Sequence, residues 1–277
     1  MNLPNFGPGT DRGMLAAWAR LVEDLGFDLL MISDHLVVTE QVAAQYPAPF
    51  FEPLTTLAWL AGRTERLVLG TTVLVLPYRH PLQVARIAAN LAELSEGRFV
   101  LGVGVGWAAD EFAALCVEHA RRGEITDRYL AAIREAWTQP DLAPGVPVWV
   151  GGNSAAAVRR AVRLGDVWHP IGLTLDRLRG APDTLAAAAQ AEGRSVPGLA
   201  PRLTFRITAA PVGGPDRPAG TGSVEQVRAD LEELYRLGAE SIVLDTFAGD
   251  FAELAHPEKA WDDLRQVADL RKELGWG

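Results

Sequence analysis

The sequence predicts an α/β fold, a single (β/α)8 barrel occupying residues 1–277. Three observations carry that prediction. Short runs rich in Val, Ile and Leu recur along the chain, continuous rather than alternating, as parallel strands covered on both faces must be. Amphipathic helical patterns fill the gaps between them. Eight such strand-then-helix units use nearly all of the 277 residues, with no shift in composition to mark a second domain. A doubly wound open sheet is the competing arrangement and ordinarily uses fewer strands.

The first strand, Asn2 to Leu3, is short. Leu15, Trp18, Val22 and Leu25 then share one helical face, and Gly26 is placed to end that helix. The second strand runs from Phe27 to Ile32, and the turn-rich segment from Val38 to Phe50 reads as a long loop. The apolar run Leu67 to Leu76 is the third strand. Pro81, a good first-turn residue, opens the helix carrying Val84, Ile87, Leu91 and Leu94. Phe99 to Val103 is the fourth strand, followed by a helix marked by Leu130, Ile133 and Trp137. Pro147 to Val150 is the fifth, and Ser154 can cap the helix bearing Val158, Ala161 and Val162. Asp166 to Trp168 and Leu203 to Thr208 are the sixth and seventh, and Pro211 to Gly222 is a second long loop. Ser223 and Gln226 read as a capping box, and Ser241 to Leu244 is the eighth strand.

Composition narrows the function classes. With 35 acidic against 26 basic residues, the net charge of −9 makes a general nucleic-acid binder a poor fit. Cys116 is the only cysteine, which excludes an intramolecular disulfide and argues against a thiolate metal site. The histidines have no metal-ligand spacing, so no metal is expected. The stretch Met1 to Phe6 lacks the pattern of a signal peptide, and the run Leu67 to Leu76 is too short to span a bilayer. The expectation is a soluble cytoplasmic protein acting on a small molecule, without nucleic-acid or membrane partners.

In a barrel of this type chemistry sits where strands end and helices begin. Ser33-Asp34-His35 follows the second strand; the carboxylate and imidazole read either as a proton-transfer pair or as a helix cap beside an incidental histidine. Thr71 and Thr72 in the third strand read as ordinary strand formers. The alternating glycines Gly102, Gly104 and Gly106 would let the backbone approach a ligand, although Trp107 stands where a dinucleotide fingerprint needs its third glycine. Gly151-Gly152-Asn153-Ser154 opens a helix, and its amides and positive helix end read as a phosphate site. His169 follows the sixth strand and Asp245 the eighth, so both should face the mouth.

These residues resemble the bacterial luciferase-like superfamily, and within it the coenzyme F420-dependent oxidoreductases. The resemblance rests on Leu3-Pro4-Asn5-Phe6-Gly7, on Ser33-Asp34-His35, and on Leu94-Ser95-Glu96-Gly97-Arg98 leading into Leu101 to Trp107 with Glu111 beyond. It closes with Val148 to Ser154 and Leu164-Gly165-Asp166. It implies a luciferase-like barrel with a flavin or deazaflavin in its mouth. It implies a non-proline cis peptide at Thr72–Val73 as a backstop to the ring, Asp34 and His35 near the ring, and Gly151, Gly152 and Asn153 on the cofactor phosphate. It further implies a cofactor contact at Asp110, and often a homodimer. Sugar-phosphate dehydrogenases of the family carry a catalytic glutamate where Trp107 stands here, which argues against that substrate. The segment between Trp137 and Pro147 is also shorter than in relatives.

The expected activity is therefore hydride transfer between coenzyme F420 and an unidentified small organic substrate. His35 would be the acid or base, oriented by Asp34, and the residues expected on the cofactor are Asp34, Thr72, Val73, Gly104, Asp110 and Gly151 through Ser154. Tyr78, Trp107, His169 and Asp245 would wall the substrate pocket. An FMN-dependent monooxygenase using O2 is the alternative, and a non-catalytic cofactor-binding barrel a third.

Overall fold

The structure, a computed structural model, describes residues 1–142 and 145–275. Part of the short connection between Trp137 and Pro147 therefore lies outside the described residues. The barrel strands are β1 (Asn2–Leu3), β2 (Leu29–Ile32), β3 (Val68–Thr71), β4 (Leu74–Val75), β5 (Phe99–Gly104), β6 (Val148–Gly151), β7 (Val167–His169), β8 (Gly198–Leu199) and β9 (Arg202–Thr204). After these come β10 (Arg206–Ile207), β11 (Thr221–Gly222) and β12 (Val243–Asp245). Every pairing among them is parallel. β1 lies between β2 and β12, β3 between β2 and β5, and β6 between β5 and β7.

Two short strands close the ring. β8 pairs with β7, and β9, only two residues further on, pairs with β12. The Ala200 amide donates to the Trp168 carbonyl, and the Val243 amide donates to the Pro201 carbonyl, so the break hydrogen-bonds on both sides. Pro201 has no N–H and interrupts the ladder without ending the stave. The result is a closed parallel barrel of eight staves.

Helices cover its outside in the predicted alternation. α1 (Arg12–Asp24) follows β1; α2 (Glu40–Ala43) and α3 (Pro53–Ala61) follow β2; α4 (Pro81–Leu94) follows β4. α5 (Ala109–Ala114) and α6 (Arg122–Ala136) follow β5, and α7 (Ala155–Leu164) follows β6. α8 (Leu175–Arg179), α9 (Ala181–Glu192), α10 (Val224–Arg236), α11 (Phe251–Leu254) and α12 (Pro257–Glu273) complete the set. The apolar faces read from the sequence are the buried ones: α1 buries Leu15, Trp18 and Val22. Both halves of the Ser223–Gln226 capping box form at α10, and Ser154 Oγ accepts from the Ala157 amide at α7. No helix among the described residues is long and apolar enough to cross a membrane.

Two strand expectations need correcting. The run Leu67 to Leu76 is not one strand, because it breaks into β3 and β4 at the cis peptide Thr72–Val73. The seventh stave begins at Gly198 rather than Leu203. The expected run Leu203 to Thr208 joined its C-terminal half to β10, which leaves the barrel to pair with β11.

Candidate active site

The mouth of the barrel is built from the segments that leave the strands. His35 follows β2 and is 6% exposed. Its Nδ1 lies 2.6 Å from Glu111 Oε2 on α5, a carboxylate with no exposed surface. A carboxylate only accepts, so Nδ1 carries the hydrogen. Nε2 is then free to take or give a proton, and it has no hydrogen-bond partner among the described residues. Glu111 Oε1 accepts from the Leu36 and Val37 amides, and Oε2 also accepts from the Tyr78 hydroxyl at 3.0 Å. Burial alone would raise the Glu111 carboxyl, but donation by His35 and by those amides outweighs it and holds the group below its ordinary value. Burial, reinforced by the Glu111 charge, pushes the Tyr78 hydroxyl up, so it remains a donor.

Asp34 does not orient His35. Its carboxylate takes both Arg79 guanidinium nitrogens, at 2.7 and 2.9 Å, together with the Val75 amide at 2.8 Å. Arg79 also reaches Glu52, the N-cap of α3. Asp34 thus latches the end of β2 to β4 and to the turn beyond it. Successive residues leaving a strand project to different sides, so adjacency in sequence separates these two side chains.

The Thr72–Val73 peptide is cis. Thr72 Oγ1 lies 2.9 Å from His169 Nε2, and the Thr72 carbonyl accepts from Arg202 Nη1 at 2.5 Å. His169 Nδ1 donates to the Ala200 carbonyl, which leaves Nε2 to accept from the Thr72 hydroxyl. Burial lowers the His169 pKa to about 4, so the ring is neutral. Arg202 pairs through Nε and Nη2 with Asp245 Oδ2, while Asp245 Oδ1 accepts from Asn2 Nδ2 at 2.9 Å. His169 and Asp245 were expected to wall a pocket. They are instead engaged in a buried polar layer beneath Thr72, where both ring nitrogens and both carboxylate oxygens already have partners.

Gly104 and Gly151 also need a different reading. Val73 occupies the space a Cβ would take at either position: at Gly104 a methyl would overlap Val73 Cγ2, and at Gly151 it would stand 2.8 Å from Val73 Cγ1. These glycines admit the neighbouring stave rather than a ligand. Asp110 is half-buried, and its carboxylate accepts from the Gln41 amide while its own amide donates to Gln41 Oε1, joining α5 to α2.

The turn into α7 keeps its donors. The amides of Asn153, Ser154, Ala155 and Ala156 make no hydrogen bond among the described residues. Asn153 is pinned from the side, its Nδ2 donating to the Ile171 carbonyl and its Oδ1 accepting from the Ile171 amide. Gly152 holds φ at +112°, a conformation that excludes most side chains.

Around His35 stands a set of rings. Tyr46, Phe50 and Trp107 have centroids 5.3, 5.3 and 5.6 Å from the imidazole. Phe6 packs on Tyr46 and Phe50, and Phe247 packs on Phe6. Tyr46 and Phe50 come from the loop expected between Val38 and Phe50, which folds inward. The Gly7 amide donates to Pro49, and Asn5 Nδ2 donates to both Ser33 and Phe51. Glu111, Arg79, Arg202 and Tyr46 had no assigned role in the sequence reading. Glu111 stood there only as a motif residue, 76 positions from His35.

The chain matches the luciferase-like monooxygenase family over residues 6–212. It belongs to that family. An F420-dependent glucose-6-phosphate dehydrogenase of Nakamurella multipartita is 32% identical over 185 residues, covering 58% of this chain and 51% of the relative. The chain spans about half the length of the curated relatives it matches at 32–34% identity. Among solved structures, an F420-dependent secondary alcohol dehydrogenase in complex with an F420-acetone adduct superposes with a TM-score of 0.74. It covers 96% of both chains at 15% identity. The oxygenating constituent of 3,6-diketocamphane monooxygenase from Pseudomonas putida, in complex with FMN, gives 0.71 over 97% of this chain and 96% of that one, at 16% identity. These likenesses establish the luciferase-like (β/α)8 fold.

Proposed function

We propose that this luciferase-like barrel is an oxidoreductase, residues 1–277 acting as one domain, that binds coenzyme F420 in its mouth and transfers a hydride between it and a small organic substrate. The observation that carries this reading is the His35–Glu111 pair at the end of β2. A buried carboxylate fixes the tautomer of an imidazole whose Nε2 is left free at the barrel mouth, the arrangement a general acid or base needs. The cofactor's phosphate fits the turn into α7, whose four unengaged amides and helix end would receive an anion. Thr72, Val73, Asn153 and Ser154 are the residues that would hold it. When bound, the deazaflavin supplies a two-electron carrier. His35 moves the proton at Nε2, Glu111 keeps the ring oriented, and Asp34 and Arg79 secure the backbone on which His35 stands. Similarity to the F420-dependent relative supports the choice of cofactor.

The FMN-dependent monooxygenase is the second reading. It is favoured by the family's own description and by the FMN-bound neighbour, and the α7 turn would take the FMN phosphate equally well. A fluorescence titration with F420 and with FMN separates the two. Tighter binding of F420 is expected; tighter binding of FMN with O2-dependent turnover would overturn the first reading.

A further inference from the structure

We propose that Tyr78 is a positioning residue of the His35 site, acting through Glu111: its hydroxyl shares with the imidazole the one carboxylate oxygen that fixes the ring. The proposal rests on the preceding reading of His35 as the proton carrier and names a residue that governs it.

Tyr78 closes the 3-10 turn Leu76–Tyr78 between β4 and α4 and is 8% exposed. Its ring packs edge-on against Phe112, with centroids 4.9 Å apart, and against Val75. A phenylalanine would satisfy that packing. The hydroxyl makes one hydrogen bond among the described residues, to Glu111 Oε2, the oxygen that also accepts from His35 Nδ1. With the Leu36 and Val37 amides on Oε1, four donors fill the four acceptor positions of the carboxylate. The next residue, Arg79, grips Asp34. Two consecutive residues, Tyr78 and Arg79, therefore secure two consecutive residues, His35 and Asp34, the first through Glu111 and the second directly. The segment leaving β2 is pinned at each of residues 34 to 37.

Two donors on one oxygen weaken each other, because both draw on the same negative charge. Glu111 has no exposed surface, so bulk water does not stand in for a lost donor. Removing the Tyr78 hydroxyl turns more of the carboxylate charge towards His35 Nδ1 and stabilises the doubly protonated ring. Tyr78 thus keeps the imidazolium from becoming too stable to release its proton. The other groups facing this cluster keep their partners when only that hydroxyl is lost. Asp34 is paired with Arg79, which also holds Glu52; Asp110 is engaged with Gln41; Arg202 is paired with Asp245; and Tyr46 stands against the imidazole as before.

The test is proton and nitrogen NMR of the full chain without cofactor, with the His35 signals assigned by their loss in His35→Ala. In Tyr78→Phe the Nδ1 proton should move downfield, and the ratio of imidazolium to imidazole at one fixed pH should rise about threefold or more. In a Glu111→Gln background, where the shared charge is gone, adding Tyr78→Phe should leave that ratio unchanged. An unchanged or reduced ratio in Tyr78→Phe alone, or an equal rise in both backgrounds, overturns the proposal. Failure of the underlying reading shows separately, as turnover retained in His35→Ala.

Discussion

His35 and Glu111 are 76 residues apart in sequence and 2.6 Å apart in space, and the proposed chemistry depends on that contact. Replacing His35 with Ala should leave cofactor binding largely intact while cutting turnover roughly 10²–10⁴-fold. Glu111→Gln keeps the size of the side chain but lets an amide N–H face His35 Nδ1, favouring the wrong tautomer. Its kcat should fall by about tenfold or more with little change in KM. Nitrogen NMR of the imidazole checks the cause: Nδ1 carries the hydrogen in the parent, and an unchanged tautomer in the variant would contradict the assignment. His169 makes a different prediction. Its pKa falls from 6.5 in the unfolded chain to about 4 when buried, so the unfolded chain binds more protons between those values. That contribution to stability is complete above pH 6.5 and is lost as pH falls towards 4, amounting to roughly 3 kcal/mol. His169→Gln should flatten the melting temperature against pH in this window; an unaltered slope would place the acid sensitivity elsewhere. The place of His35 just beyond β2 was legible in the sequence, because the strand pattern before it is local. Its partner was not, because Asp34 stood next door and nothing in the spacing marked a residue on another helix.

Among the elements, the helices were the most readable, because capping residues and apolar faces are local features: Ser154, Ser223 and Gln226 act where they stand. Strand ends were less so. Gly198 and Leu199 carry too little apolar pattern to announce a strand, and their pairing depends on β7, thirty residues earlier in the chain. The glycines of β5 and β6 were legible as places of close approach, but the approaching atoms belong to Val73 on a neighbouring stave. Gly104→Ala should therefore cost about 1–3 kcal/mol by overpacking. Val73→Ala should recover much of that loss in the same background, since it removes the methyl that the new Cβ meets. Chemical denaturation of the four combinations measures the coupling; purely additive effects would show that Val73 is not the obstacle.

For the whole molecule, the count of eight strand–helix units was enough to read a barrel, and the ring does close. The closure device was not readable. Arg202 stands at the broken stave and joins three parts of the ring, reaching Thr72 beyond β3, Ser33 beyond β2 and Asp245 on β12. Removing one member of this buried pair strands the other. Asp245→Asn should lower stability by about 3–5 kcal/mol, read as a shift of the denaturation midpoint. A loss below about 1 kcal/mol would show that the pair carries no more than an exposed one does. Arg202→Met should do similar damage through the same contacts.

The pairing of β1 with β12 also bears on how the chain reaches this state. Asn2 and Asp245 are hydrogen-bonded across 243 positions of sequence. Contacts of such separation are slow to form, because a long loop must close before they contribute. During synthesis, therefore, β1 emerges with the edge that will meet β12 unpaired, and it stays so until the residues of β12 have been made. The growing sheet carries an open edge for that period, and such edges are where incomplete chains pair with one another. The arrival of β12, which pairs with β1 on one side and β9 on the other, removes this hazard.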